Sequence, residues 1–141
     1  MFRLDKRLEK DTIFIKNLNL SKLLLMNNSN FPWFILVPMR ENLIELLDLS
    51  KTDQQQLLLE ISLLSRFLKK TDPIGKINIG TLGNIVNQLH IHIVIRNKKD
   101  LAWPNPVWGF DNYSPYSKQQ SLKLLKEISN FLNEEGNIPN D

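Results

Sequence analysis

Residues 84–96, Asn-Ile-Val-Asn-Gln-Leu-His-Ile-His-Ile-Val-Ile-Arg, hold both histidines of the chain inside an apolar, β-branched run. Such a run reads as a strand, from Leu89 to Arg96, and in a strand successive side chains point to opposite faces. Gln88, His90 and His92 therefore share one face, and Leu89, Ile91 and Ile93 fill the other. The apolar face must be buried in a core. Two imidazoles and an amide are then presented in a row on a rigid support.

The rest of the chain is sized for one such core. Its 141 residues, 42% of them hydrophobic, predict a single domain over 1–141. No stretch reaches the ~18 apolar residues of a membrane span. Met1 to Arg7 is charged and lacks an apolar signal-peptide core. The expectation is a cytoplasmic protein with no membrane partner. With no cysteine, disulfides, Cys-ligated zinc and thiol chemistry are excluded. The 18 basic and 15 acidic residues are interleaved, giving a net charge of +3. That pattern makes no nucleic-acid-binding stripe, but it suits a small anionic ligand.

Along the chain, Leu4 to Lys10 reads as a short helical turn or two. Thr12–Leu18 and Leu20–Asn27 carry strand-like content, and Asn27 to Asn30 is a turn signal. Trp33 to Val37 follows as a buried strand stopped by Pro38, which makes a hairpin with the strand before it. Ser50 and Asp53 form a near capping box for a helix over Thr52–Lys70, with Leu57, Ile61, Leu64 and Leu68 at helical spacing. Asp72 to Gly75 ends it. Lys76 to Ile79 is a short strand, and Gly80 to Gly83 is a turn leading to the histidine strand. Leu101 to Gly109, with Pro104 and Pro106, is an irregular loop. Ser117 and Gln120 form a second capping box, ahead of a helix with Leu122, Leu125, Ile128 and Leu132 on one face. That helix is expected to end near Gly136, with Pro139 beyond. The sum is α+β: an antiparallel sheet with a helix or two on one face.

Three readings of the histidine row compete. The residues can be half-exposed side chains on a sheet face. They can be two ligands of a metal, although zinc wants three or four and no third ligand stands nearby. Or they can do nucleophilic chemistry on phosphorus. Neutral imidazole is a good nucleophile near pH 7. One ring nitrogen donating to a backbone carbonyl would leave the other free to attack, while a second histidine donates to phosphate oxygens. The Gly80 to Gly83 turn would add backbone N–H donors for an anion, with Asn78 and Asn84 at its edges. Lys76 and Arg96 are the nearby cations, and Arg96 serves a structural ion pair equally well.

Residues 78–96 also resemble the signature of the histidine triad (HIT) superfamily: an Asn-x-Gly strand end, a Gly-Gln or Gly-Asn turn, then alternating histidines and apolar residues. Trp33 to Pro38 resembles the family's strand ending in Val-Ile-Pro, and the helix from Thr52 lies where its central helix lies. Ala102 to Gly109, Ala-Trp-Pro-Asn-Pro-Val-Trp-Gly, resembles a loop of one bacterial branch. The resemblance implies a HIT-like fold, a five-stranded antiparallel sheet with a central and a C-terminal helix, and a homodimer. It implies a nucleotide hydrolase or nucleotidyl transferase acting at a nucleoside α-phosphate, on a dinucleoside polyphosphate or nucleoside phosphoramidate type of substrate. The intermediate would be a nucleotidyl-histidine. No cofactor is required by the nucleophile, and Mg²⁺ would accompany a polyphosphate substrate.

Carried onto this sequence, His90 matches the nucleophile and His92 the histidine that holds phosphate oxygens. Gly83 and Asn84 match the phosphate-contacting turn, Asn78 an Asn at the lip of the site, and Asn28 the neighbourhood of a ribose-binding acid. Gln88 stands where the first histidine of the triad would be, as it tends to in the branch with the Trp-Pro loop. Glutamine forms hydrogen bonds but carries no proton to a leaving group near neutral pH. The alternative function is therefore a HIT-fold nucleotide-binding protein with little or no turnover.

Overall fold

The computed structural model describes residues 1–135. Helix α1 (Lys6–Asp11) runs into strand β1 (Thr12–Asn17), followed by β2 (Ser21–Met26) and β3 (Trp33–Pro38). A short 3₁₀ turn (Leu46–Asp48) precedes helix α2 (Lys51–Thr71), then β4 (Lys76–Gly80), β5 (Ile91–Arg96) and helix α3 (Lys118–Glu135). The five strands form one antiparallel sheet in the order β1-β2-β3-β5-β4. The expected architecture is present, and the expected end of α3 near Gly136 and Pro139 lies outside the described residues.

The hairpin of β2 and β3 pairs Leu24 with Ile35 and Ser21 with Pro38, so the proline closes the strand where its missing N–H is no loss. Ser50 caps α2 by accepting from the Asp53 N–H at 3.1 Å. The reciprocal half of that box is absent, because the Asp53 carboxylate binds Arg40 instead. The box at α3 is complete: Gln120 N–H donates to Ser117 Oγ, and Ser117 N–H donates to Gln120 Oε1.

One sheet face, with Leu23, Leu25, Phe34, Leu36, Ile91, Ile93 and Ile95, packs under α2 and α3. Phe67 of α2 bridges Phe34 below it and Phe131 of α3 beside it, at 5.8 and 5.4 Å between ring centres. Leu64, Leu68 and Ile128 are almost fully buried there, each worth ~1.5–3 kcal/mol of apolar burial. Leu122, expected on this face, is 55% exposed, and Leu124 and Phe131 take part in the stripe instead.

The opposite face is covered too, which the sequence pattern did not show. Trp33, Ile35, Val37, Leu24 and Val94 pack against Leu8 of α1, Phe31, and Ala102 and Val107 of the loop after β5. A second departure concerns the histidines. The ladder of β5 begins at Ile91 opposite Leu36, not at Leu89. Gly80 is the last residue of β4, paired with His92, so the expected tight turn is instead a ten-residue connection, 81–90, with no regular structure. Among the described residues no helix is long and apolar enough to cross a membrane.

Candidate active site

β5 and the connection before it set the two imidazoles side by side, 4.9 Å between ring centres. Both residues are buried, each 6% exposed. Their ring protons are assigned by their partners. His90 Nδ1 lies 2.7 Å from the Gln88 carbonyl oxygen. A carbonyl only accepts, so Nδ1 carries the proton and Nε2 keeps its lone pair. Trp33 Nε1–H donates to His92 Nδ1 at 3.0 Å. An indole only donates, so His92 Nδ1 is bare and its proton sits on Nε2. The pair is thus complementary: one Nε2 is a nucleophile or base, the other a donor.

His92 stays neutral over the physiological range. Burial, and then the charge of a protonated His90 beside it, push its pKa down to about 3. Trp33 and Trp108 frame its ring at 5.6 and 5.5 Å between centres. Trp108 also lies over Gly80, where a Cβ would come within 3.0 Å of the indole. The glycine is needed for that approach, rather than as a turn of its own.

The loop carrying Trp108 is built around a buried ion pair. Arg96 donates through Nε and Nη2 to Asp100 at 2.8 and 3.0 Å. The Asp100 carboxylate also accepts from the backbone of Asn97, Ala102 and Trp103. Burial pushes its pKa up, but the Arg96 hydrogen bonds and the Asn97 and Trp103 N–H groups outweigh that and hold it below the usual carboxylate range. The guanidinium lies between the rings of Phe31 and Trp103 at 5.6 and 5.9 Å. Of the two readings of Arg96, the structure shows the ion pair.

The remaining residues singled out in the sequence fall into three places. Gly83, at φ +70°, and exposed Asn84 lie in the connection that leads to His90. Asn78 sits on β4 opposite Val94 and accepts from Arg96 Nη1 at 3.2 Å. Val94 is two residues from His92 and four from His90, so Asn78 lies roughly 7 Å along the sheet from the level of His92 and roughly 13 Å from that of His90 at the rise of an extended chain. Asn28 is buried in the β2–β3 turn, its side-chain carbonyl accepting from Asn30 N–H, at the end of the sheet where Ile95 N–H reaches Pro32. Neither Asn78 nor Asn28 hydrogen-bonds to an imidazole, and each side chain is engaged by another residue. Gln88, expected on the substrate side, has its amide engaged elsewhere: Nε2 donates to the Arg3 carbonyl and Oε1 accepts from Asp5 N–H, both at 2.8 Å.

Sequence reasoning misses Trp33, which it reads only as core, and the part played by residues 3–7, of which it reads Leu4 onward only as a helical turn. Trp33 was findable in principle: it precedes Ile35, which pairs with His92, by two residues on the same face. Among the described residues no group of three or more His, Asp or Glu side chains converges to hold a metal.

The model of the HIT domain matches residues 7–99. A histidine triad protein from Bradyrhizobium japonicum is 41% identical, with a TM-score of 0.88 over 92% of this chain and 96% of that one. One from Sinorhizobium meliloti is 43% identical with a TM-score of 0.88, over 92% and 96% of the two chains. One from Marinobacter aquaeolei is 38% identical with a TM-score of 0.91, over 95% and 98%. No curated protein matches the chain significantly.

Proposed function

The chain belongs to the HIT domain family, and from that premise we propose that it is a nucleotide hydrolase or nucleotidyl transferase acting at a nucleoside α-phosphate. The observation that carries the reading is the pair of ring partners, a carbonyl on His90 Nδ1 and an indole N–H on His92 Nδ1, which assign complementary protons to the two rings. His90 Nε2 attacks the α-phosphorus, and an N–P bond forms. The P–O or P–N bond to the leaving group breaks, and the leaving group departs with the electron pair and takes a proton from solvent. His92 Nε2–H donates to a phosphate oxygen, with Gly83 and Asn84 supplying further contacts. Water then attacks phosphorus and gives a proton to solvent, the N–P bond breaks with its electron pair returning to Nε2, and nucleoside monophosphate leaves with His90 neutral again. The substrate class is a dinucleoside polyphosphate or nucleoside phosphoramidate, with Mg²⁺ as companion of a polyphosphate. In this reading Asn78 borders the site and Asn28 contacts the ribose of the bound nucleotide.

Gln88 and the Trp103–Trp108 loop fit the branch of the family with Gln in place of the first histidine. One observation favours a second reading, a nucleotide-binding protein with little turnover. The side chain at position 88 is neutral and occupied by backbone groups, so it offers no proton to a leaving group. A homodimer also belongs to the proposal. β4 is an edge strand with Ile79 53% exposed, and α2 exposes Leu58 and Leu59 at 64% and 65%. Light scattering after size exclusion tests it.

The decisive experiment mixes the full chain with labelled adenosine phosphoramidate or diadenosine polyphosphate and quenches in base, where phosphohistidine persists. Label should appear on the wild type and be lost in His90→Ala. Equal labelling and turnover by both would remove His90 as the nucleophile. Binding without label would favour the second reading.

A further inference from the structure

We propose that Gln88 is a positioning residue: its side chain clamps the N-terminal segment, residues 3–5, onto the connection before β5, and this clamp holds the carbonyl that sets the His90 ring. The inference deepens the proposed function and rests on His90 being its reactive group.

The chemistry of the side chain fits this role. A primary amide carries its acceptor and its donor on one carbon, pointing to the same side. That is the arrangement needed to meet a backbone carbonyl and a backbone N–H two residues apart. Gln88 meets Arg3 O and Asp5 N–H in this way, both at 2.8 Å, as a neighbouring strand would. The two nitrogens of an imidazole diverge across the ring and cannot face the same pair. Glutamine here is then more than a lost histidine: it does something that histidine cannot.

The connection needs such support. Residues 81–90 have no regular structure and precede the ladder. Three polar anchors hold them: Arg7 Nη1 on the Ile85 carbonyl at 2.9 Å, the Gln88 clamp, and Leu89 N–H on the Leu43 carbonyl at 3.0 Å. Two of these three come from residues 3–7. The segment that supplies them is itself fastened: Leu8 is buried in the second core, with Phe2 and Leu4 packed against it, and Val86 of the connection lies in the same cluster. Arg3 and Asp5 precede the stretch matched to the family, 7–99. The residue whose amide is clamped is the same one whose carbonyl accepts from His90 Nδ1. Loosening the amide frees the carbonyl, and the His90 proton then distributes over both nitrogens, which removes the free Nε2 lone pair from part of the molecules.

The test reads the ring directly. Nitrogen–proton correlation spectra of the ¹⁵N-labelled full chain report which nitrogen of His90 is protonated. Wild type should show Nδ1–H alone. Gln88→Met, close in shape but without the hydrogen bonds, should show a mixture of the two forms. It should also slow His90 labelling about 10-fold while leaving adenosine monophosphate affinity within about 2-fold. Gln88→Glu, which can accept but not donate, should fall between. Asp5→Pro approaches from the other side: Asp5 has φ −58°, which proline adopts, and the change removes the N–H that Gln88 accepts from. It should reproduce the mixture. Asp5→Ala removes the α1 cap and the carboxylate's bonds to Arg7 but keeps the backbone N–H that Gln88 accepts from, and should leave the His90 proton on Nδ1. Pure Nδ1–H in Gln88→Met, or in Asp5→Pro should Gln88→Met not fold, would overturn the clamp. So would a mixture in the wild type. A ring that shifts as expected in a protein that never labels would keep the clamp and overturn the proposed function instead.

Discussion

His92 is buried, bare at Nδ1 and bonded to Trp33, so the folded chain resists its protonation. Its pKa falls from 6.5 to about 3, burial being the larger cause and the His90 charge the smaller. Between those values the unfolded chain binds a proton at this site and the folded chain does not. Stability therefore falls as pH drops from about 6.5 toward 3, by up to ~1.4 kcal/mol per unit from this group. Urea midpoints at pH 7 and pH 4.5 should separate further in the wild type than in His92→Gln, and equal separations would count against it. Trp33→Phe keeps an aromatic ring but leaves His92 Nδ1 without its donor. A buried acceptor without a partner costs ~1–3 kcal/mol. The same variant should let the His92 proton redistribute and weaken nucleoside monophosphate binding, seen by calorimetry. Unchanged affinity would mean that His92 Nε2–H does not hold the phosphate. The legible part at this scale was the alternation that put two histidines on one face. Which nitrogen carries which proton depends on Trp33 and on a carbonyl, and alternation along one strand does not report a neighbouring strand's donor.

The sequence predicts α2 over Thr52–Lys70 and the helix runs from Lys51 to Thr71, because its start is set by a local cap and its end by Pro73. Its buried glutamate is not readable from the sequence. Glu60 is 3% exposed, and its Oε1 accepts from the backbone N–H of Leu20 and Ser21 at 2.8 and 3.3 Å, tying α2 to the start of β2. From sequence it is one polar residue on a helix; the two N–H groups it satisfies are about 40 residues away. Glu60→Leu would strand both, and we expect a loss of ~2–5 kcal/mol at pH 7 from two orphaned donors. Chemical denaturation measures it, and a loss under 1 kcal/mol would show that the donors find water. The sequence starts β5 two residues before the ladder does, for a related reason. The apolar alternation runs on through Leu89, which is buried and bonded to Leu43, but no strand lies beside it to extend the ladder.

Seen whole, the molecule is a sheet with two covers, α2 and α3 on one side and α1 with irregular chain on the other, and the histidines lie under the second side. That cover depends on Arg96 and Asp100, whose side chains are 1% and 9% exposed. Asp100→Asn leaves a buried guanidinium without its counter-charge, a change that costs ~3–5 kcal/mol. Because Trp103 and Trp108 ride on this loop, tryptophan emission should shift in the folded variant and phosphate binding should weaken; an unaltered spectrum would show that the loop stands without the pair. What the sequence determined by itself is the part governed by neighbours along the chain: the strand and helix periods, the caps at Ser50 and Ser117, the α+β class, and the family resemblance carried by residues 78–96. What only the tertiary structure decided is the part made of contacts between distant segments. Residues 3–7 fold onto 85–88, Trp33 onto His92, Trp108 onto Gly80, and Glu60 onto Leu20. Local periodicity says which face a side chain takes, but the protons and the charges of this site are fixed by partners that meet it only once the chain has closed.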